Sequence, residues 1–203
     1  MIKNIIFDFG DVFINLNKQV IHGNLNQYNA DELPASFKTW CQEYEIGALS
    51  TAQFLDKINT LFPEITTADF IDIWNEILLD FPKHRMDFLK EMNTNYRCFM
   101  LSNTNEMHLN WIINDWGEAL FQEFKNCFEV FYLSHEIGMR KPIQEIFEFV
   151  LNENNLIASE TLFIDDTQEN TDAASKLGIH VWTIDPKLED VSELPTVKKE
   201  LFL

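Results

Sequence analysis

Ile5-Ile6-Phe7-Asp8-Phe9-Gly10-Asp11-Val12 is a short apolar run that ends in a carboxylate. With Ile2 nearby it shows little polar alternation, the mark of a strand covered on both faces, and such strands belong to parallel sheets. Further apolar runs follow at residues 96–101, 130–133, 162–164 and 181–184. Between them an amphipathic helix is predicted to open at Pro142, with Ile143, Ile146, Phe147, Val150 and Leu151 on one stripe. Another spans residues 168–177 and stops at Gly178, a glycine placed for the left-handed position after a helix. Short buried strands alternating with helices predict an α/β fold with a doubly wound parallel sheet.

From residue 15 to residue 80 no strand pattern is convincing. Phe54, Leu55, Ile58, Leu61 and Phe62 recur at helical spacing, as do Phe70, Ile73, Trp74, Ile77 and Leu78. Ser50 or Thr51 suits the N-cap of the first helix, and Thr66 or Thr67 that of the second. A helical cap is therefore expected over 15–80, inserted into an α/β core made of 1–14 and 81–203. The cap aromatics Phe37, Trp40, Tyr44, Phe54, Phe62, Phe70 and Trp74 are read chiefly as the cap's own core.

Composition narrows the partners. The 203 residues carry 33 Asp plus Glu against 15 Lys plus Arg, a formal net charge of −18. Phosphate backbones are held by clustered Lys and Arg, so so acidic a chain is not expected to bind nucleic acid. The same charge argues against an anionic membrane surface. No run approaches the roughly 18 apolar residues of a membrane span, and the first apolar stretch is too short for a signal-peptide core. Cys41, Cys98 and Cys127 form no C-x-x-C pair and are read as buried reduced thiols. A cytoplasmic monomer or homodimer is the expectation. His22, His84, His135 and His180 lack metal-ligand spacing and are read as structural or exposed. The final Lys198-Lys199-Glu200-Leu201-Phe202-Leu203 is placed to dock on the core or on a partner.

Open parallel sheets bind ligands beyond the carboxyl ends of their strands, at the point where strand order reverses. Asp8 follows the first strand, Ser102-Asn103 the second, and Asp165-Asp166 a later one, while Lys141 precedes the Pro142 helix. Gathered carboxylates repel one another unless a cation or proton joins them. Asp8 and Asp166, with Asp165 adjacent, make an oxygen donor set suited to Mg²⁺, which uses one or two carboxylates and keeps positions for water and phosphate. A carboxylate can also act as a nucleophile. Lys141 and the Ser102 hydroxyl would then hold phosphoryl oxygens where charge spreads in the transition state.

In this order and placement the motifs resemble those of the haloacid dehalogenase superfamily. Residues 5–12 are similar to its first motif and Leu101-Ser102-Asn103-Thr104 to its second. Gly138-Met139-Arg140-Lys141-Pro142 is similar to the third. Phe163-Ile164-Asp165-Asp166, followed by Asn170, Ala173, Ala174 and Gly178, is similar to the fourth. A finer resemblance, carried by 101–105 with His108, Tyr132-Leu133-Ser134 and 138–142, is to bacterial phosphatases of glucose phosphorylated at its anomeric carbon. The resemblance implies a Rossmann-like core and a Mg²⁺-dependent phosphomonoesterase for a small phosphorylated metabolite, with an aspartyl-phosphate on Asp8. It implies Asp8, Asp166 and the Gly10 carbonyl as metal ligands. Ser102, Lys141 and the Asn103 backbone N–H would bind the phosphoryl group, with His108 lining the pocket. Asp165, at a position often glycine in the superfamily, is expected to act through water or to support the ligands, as is Asn170.

The departure is Gly10. Most phosphatases of the superfamily carry a second Asp there as general acid and base, and Asp11 falls one residue late and should point elsewhere. Losing such help costs about 10²–10⁴ in rate, so a preference for substrates with an acidic leaving oxygen is expected, glycosyl phosphates included. Two other readings compete. One is a non-catalytic module that binds a metabolite or a protein. The other is a haloacid dehalogenase, whose halide leaves unaided, although Asp165-Asp166 would burden an anionic nucleophile. In the cap, Glu43-Tyr44-Glu45-Ile46-Gly47 ends one helix and brings carboxylates that could reach sugar hydroxyls.

Overall fold

A computed structural model of the chain describes residues 1–26 and 33–202, apart from the side chains of His22 and Asn26. The expectations for His22 and Leu203 fall outside it. The first strand, β1, is Asn4–Phe7, and all four of its residues are buried. The chain then leaves for the cap helices α1 (Val20–Asn26), α2 (Ala35–Glu45), α3 (Thr51–Leu61) and α4 (Thr67–Asn75). It returns through α5 (Lys83–Asn95) to β2 (Arg97–Ser102). Two helices, α6 (Glu106–Trp116) and α7 (Glu118–Lys125), lead on to β3 (Val130–Leu133). After it come α8 (Ser134–Ile137), α9 (Gln144–Glu153), β4 (Thr161–Asp165), α10 (Gln168–Ser175), β5 (His180–Thr183) and the short α11 (Leu194–Val197).

The five strands run parallel in the order β3-β2-β1-β4-β5. Strand order reverses at the β1/β4 junction, where such a sheet opens a crevice. The alternation within each strand divides the core into two layers. Ile5, Phe7, Cys98, Met100, Leu162, Ile164 and Trp182 join Leu89 of α5, Ile112 of α6 and Phe124 of α7. On the opposite face Ile6, Phe99, Leu101 and Phe163 meet Ile146, Phe147 and Val150 of α9 and Ala173 and Ala174 of α10. This is the predicted doubly wound α/β sheet.

Two predicted boundaries shift. The helix expected from Pro142 begins at Gln144, because Ile143 is still extended (φ −63°, ψ 138°). The helix expected over 168–177 ends at Ser175, and the chain turns through to Gly178, whose φ of +81° suits a residue without a Cβ.

In the cap, Ser50 forms a capping box with Gln53 at the start of α3, and Thr66 accepts from Asp69 N–H to cap α4. Buried Phe54 stacks on Tyr44 at 4.6 Å and packs against Phe70 and Trp74, so most of the cap aromatics form its core. Trp40 is only partly buried, and the Lys57 ammonium stands over its ring. The segments that enter and leave the cap lie side by side. Leu16 bridges Leu78 antiparallel, and Asn15 exchanges backbone hydrogen bonds with Leu79 and Asp80.

Cys98 and Cys127 are buried free thiols, and Cys41 is half-buried. The C-terminal segment docks on the core: Ile2 N–H donates to the Leu201 carbonyl, and Phe202 packs edge-on against Tyr96. Among the described residues no helix is long and apolar enough to cross a membrane.

Arg85 of α5 is a buried cation that ties three segments together. Its guanidinium donates to the Phe13 carbonyl at 3.2 Å, Asn15 Oδ1 at 3.0 Å and Asp190 Oδ2 at 2.9 Å. Burial alone would raise the Asp190 carboxyl, but donors from Ser192, His84 and Arg85 outweigh it and hold it well below the usual range. A depressed carboxyl contributes stability above its ordinary pKa that is lost as pH falls. Asp190→Asn is therefore expected to lose about 2 kcal/mol at pH 7, the scale of a charge-assisted hydrogen bond. Urea denaturation should show that gap narrowing below about pH 4.

Candidate active site

Four chain segments meet at the carboxyl edge of the sheet. Phe7 pairs with Met100 on one side and with Ile164 on the other, so the next residue, Asp8, stands beside Asp165. Asp8 N–H donates to the Ile164 carbonyl at 2.8 Å, which holds the two strand ends level. Asp8, Asp165 and Asp166 offer carboxylate oxygens within 4.8 Å of one another.

Lys141 enters this cluster almost fully buried. Its Nζ donates to Asp8 Oδ1, Asp165 Oδ2 and the Leu101 carbonyl, each at 2.7 Å. All three ammonium hydrogens are thereby used. Asn103 places the lysine: its Oδ1 accepts from Lys141 N–H at 2.9 Å and its Nδ2 donates to the Lys141 carbonyl at 3.0 Å. Asn103, expected to contribute its backbone N–H, thus also clamps the lysine through its side chain, a role with no signature in spacing. Asn170 and Thr167 N–H donate to Asp165, whose oxygens are thus largely engaged by protein donors, leaving Asp8 and Asp166 for a cation.

The charge states follow from burial and neighbours. Burial pushes the Asp8 carboxyl up to about 7, Lys141 opposes this, and Asp165 and Asp166 add to it. Burial works against the charged form of Lys141, but Asp165 and Asp8 outweigh it and raise its pKa above the ordinary value. Asp166 is also raised by burial, against the pull of Lys18. Lys18, from the segment entering the cap, contacts both Asp166 and Asp11 Oδ2, the latter at 3.0 Å. A single lysine in a linker carries no sequence signal for such a role. Asp11, expected to point elsewhere, instead shares Lys18 with Asp166 through its Oδ2, while its Oδ1 accepts from Leu16 N–H at 2.9 Å.

A cavity of about 140 Å³ opens beside Gly10, Ser102 and Asn103. Leu16 fills the space over Gly10, where a Cβ would stand 2.6 Å from Leu16 Cδ1. His108 lines the cavity but keeps no ring nitrogen free for a ligand. Its Nδ1 meets Asn105 Nδ2 at 3.1 Å, its Nε2 meets the Trp74 carbonyl at 3.2 Å, and its ring stacks on Trp74. Asn105 Oδ1 already accepts from His108 N–H and Trp74 Nε1, so its amide nitrogen is the donor and His108 Nδ1 the acceptor. Burial lowers the His108 pKa to about 4, which keeps it neutral at pH 7. The expected ligand-binding role thus reduces to shaping the wall. Also on this wall is Glu45 of α2, whose Oε2 accepts from Arg140 Nε at 2.9 Å. Burial raises the Glu45 carboxyl and Arg140 opposes it.

A lysine-bridged acid cluster at the reversal point of a parallel sheet, beside a small cavity under a helical insertion, defines an α/β enzyme with carboxylate chemistry. The sequence pattern of the haloacid dehalogenase-like hydrolases matches residues 5–184, and the chain belongs to that family. A D-ribitol-5-phosphate phosphatase of Bacteroides thetaiotaomicron is 29% identical over 188 residues, covering 90% of this chain and 91% of that protein. A HAD family enzyme from the same organism, solved with magnesium and inorganic phosphate, is 30% identical at a TM-score of 0.83. That match covers 96% of this chain and 99% of the other. A HAD-like family hydrolase of Porphyromonas gingivalis superposes at a TM-score of 0.82 with 26% identity, covering 99% and 98%.

Lys141→Met should leave Asp8 and Asp165 buried without their counter-charge. The expected loss is about 3–5 kcal/mol at pH 8, the scale for breaking a buried ion pair. It should shrink towards pH 5 as the carboxylates take up protons, as read by urea denaturation of the metal-free protein.

Proposed function

We propose that the protein is a Mg²⁺-dependent phosphomonoesterase for a small phosphorylated sugar or sugar alcohol, acting through an aspartyl-phosphate on Asp8. The observation that carries this reading is the lysine-bridged carboxylate cluster, with one acid, Asp8, at the edge of the cavity-bearing loop and a second, Asp166, beside it. The relative named a D-ribitol-5-phosphate phosphatase and the solved relative holding magnesium and phosphate support it.

The donor set fits Mg²⁺. It is all oxygen, it is acidic, and Asp8 and Asp166 are each pushed upward by burial and by neighbouring carboxylates, so a divalent charge would relieve both. Asp8, Asp166 and the Gly10 carbonyl are the residues assigned to hold it, with Asp165 and Asn170 supporting them. The ion would supply positive charge to phosphoryl oxygens that are otherwise repelled by the acids.

An Asp8 carboxylate oxygen attacks phosphorus, the bond from phosphorus to the leaving oxygen breaks, and the alcohol oxygen departs with the electron pair. Water then attacks the phosphorus of the aspartyl-phosphate and regenerates the carboxylate, releasing inorganic phosphate. Lys141 favours the ionised form of Asp8 and holds it in place, and its charge, the Ser102 hydroxyl and the Asn103 N–H are the groups assigned to stabilise the phosphoryl oxygens. Halide displacement is the weaker reading, because three clustered carboxylates hinder an anionic nucleophile unless a cation is present.

Two outcomes are expected. Phosphate release from p-nitrophenyl phosphate should vanish with EDTA and return with Mg²⁺. Asp8→Asn should lose more than about 10³-fold in kcat with unchanged circular dichroism, since a neutral amide cannot form the acyl phosphate. Silence of the wild type would favour the binding module, and metal-independent halide release the dehalogenase.

Gly10, roofed by Leu16, offers the leaving oxygen no carboxylic acid. The kcat/KM for p-nitrophenyl phosphate should therefore exceed that for n-pentyl phosphate by about 10²-fold or more, the scale of missing general-acid help. Equal values in a steady-state phosphate assay would count against this.

A further inference from the structure

We propose that Glu45 is a specificity-determining residue whose carboxylate, anchored by Arg140, accepts hydrogen bonds from hydroxyls on the substrate's carbon chain. The proposal rests on the phosphomonoesterase reading above and names the residue that would recognise the hydroxyls of its substrate.

The cavity is walled by Phe9 and Gly10, which directly follow Asp8, and by Ser102 and Asn103 at the end of β2. Its volume of about 140 Å³ is room for a short carbon chain, about five waters at ≈ 30 Å³ each. Much of its wall is apolar, from Phe9, Ile14, Leu16 and Leu78. Among the described residues that line it, Glu45 is the only charged one. The side-chain polar atoms of Asn103, Asn105 and His108 on the same wall are already engaged by protein partners. A carboxylate has about four acceptor positions, and the Arg140 contact occupies one of them. The Glu45 side chain keeps 26% of its surface exposed, and acceptor positions turned to a small, mostly apolar cavity favour an occupant that brings donors. Hydroxyls supply them, and a bare alkyl chain does not.

Three contacts fix the end of α2 against the core, so the position of Glu45 is set by the fold. Tyr44 Oη accepts from Met107 N–H at 3.1 Å. Gly47, at φ +69°, passes so near the His135 carbonyl that a Cβ would stand 2.4 Å from its oxygen. Arg140 holds Glu45 from the residue next to Lys141. Glu43, the other carboxylate at this helix end, does not line the cavity.

The test compares wild type, Glu45→Gln and Glu45→Ala on a pentitol 5-phosphate and on n-pentyl phosphate, which has the same chain length and no hydroxyls. Glu45→Ala is expected to lower kcat/KM for the pentitol phosphate by about 10–100-fold, the scale of a hydrogen bond to a charged group. It should leave n-pentyl phosphate within about threefold, while Glu45→Gln, which keeps an acceptor, falls between. A purely structural tie between cap and core would lower both substrates together, and that result overturns the proposal. Should Glu45→Ala fail to fold, Glu45→Gln carries the same comparison. Calorimetric binding of both compounds in the presence of Mg²⁺ separates this proposal from the catalytic reading. Glu45-dependent preference without turnover refutes the phosphatase and keeps the proposal. Turnover with selectivity unchanged in the variants does the reverse, and neither binding nor turnover overturns both.

Discussion

Three carboxylates within 4.8 Å of one another at the edge of a buried sheet cannot all stay ionised unless positive charge stands among them. Lys141 provides the fixed part of that charge. Its ammonium stands 5.3 Å over the Phe163 ring and is held by two of the acids and by the Leu101 carbonyl. Much else in the site exists to keep this arrangement within hydrogen-bond distance. Parallel register sets Asp8 beside Asp165, Asn170 turns Asp165 towards the lysine, and Asn103 grips the lysine's own peptide groups on both sides. A buried ion group of this kind contributes little net stability compared with apolar packing. It is understandable as preorganised electrostatics, in place before a phosphoryl group arrives.

The cap is bound to the same loops that carry the chemistry. Asn105, three residues after Ser102, caps α6 and also holds Trp74 of the cap and His108 beneath it. Ser134 takes the Thr104 N–H and returns its hydroxyl to the Thr104 carbonyl, bracing the loop from the neighbouring strand. Arg140, beside Lys141, holds Glu45 at the end of α2. Hydrogen bonds from the cap thus reach the loops after β2 and before α9.

The five strands were legible as short apolar runs, and the inner three, β1, β2 and β4, are buried along nearly their whole length and so lose polar alternation. Their ends were legible only to within a residue or two, because pairing partners decide where a strand stops. The cap helices α3 and α4 announced themselves through Ser50, Thr66 and a clear apolar stripe. The pattern marked no helix between residues 81 and 130, where the chain forms three. In α5 the apolar face is made by Met86, Phe88, Leu89 and Met92 together with the buried Arg85, and charged neighbours dilute it. His108 misled for a different reason. Its proximity to Ser102 along the chain is real, but Asn105 one turn earlier and the distant Trp74 carbonyl absorb its nitrogens.

What the chain alone determined was the order of chemistry-bearing residues along alternating strands and helices: Asp8, Ser102, Lys141, then Asp165 and Asp166. That much is local, because strand and helix propensity and burial periodicity are written in neighbouring residues. Tertiary structure decided which polar atoms remain available. Asn103 and His108 are bound to the protein, Asp165 is saturated by donors, Lys18 arrives from the cap linker, and Glu45 is carried into the cavity by a helix some ninety-five residues before its arginine partner. Hydrogen-bond saturation and electrostatic pairing depend on distances across the fold, and no reading along the chain can supply those distances.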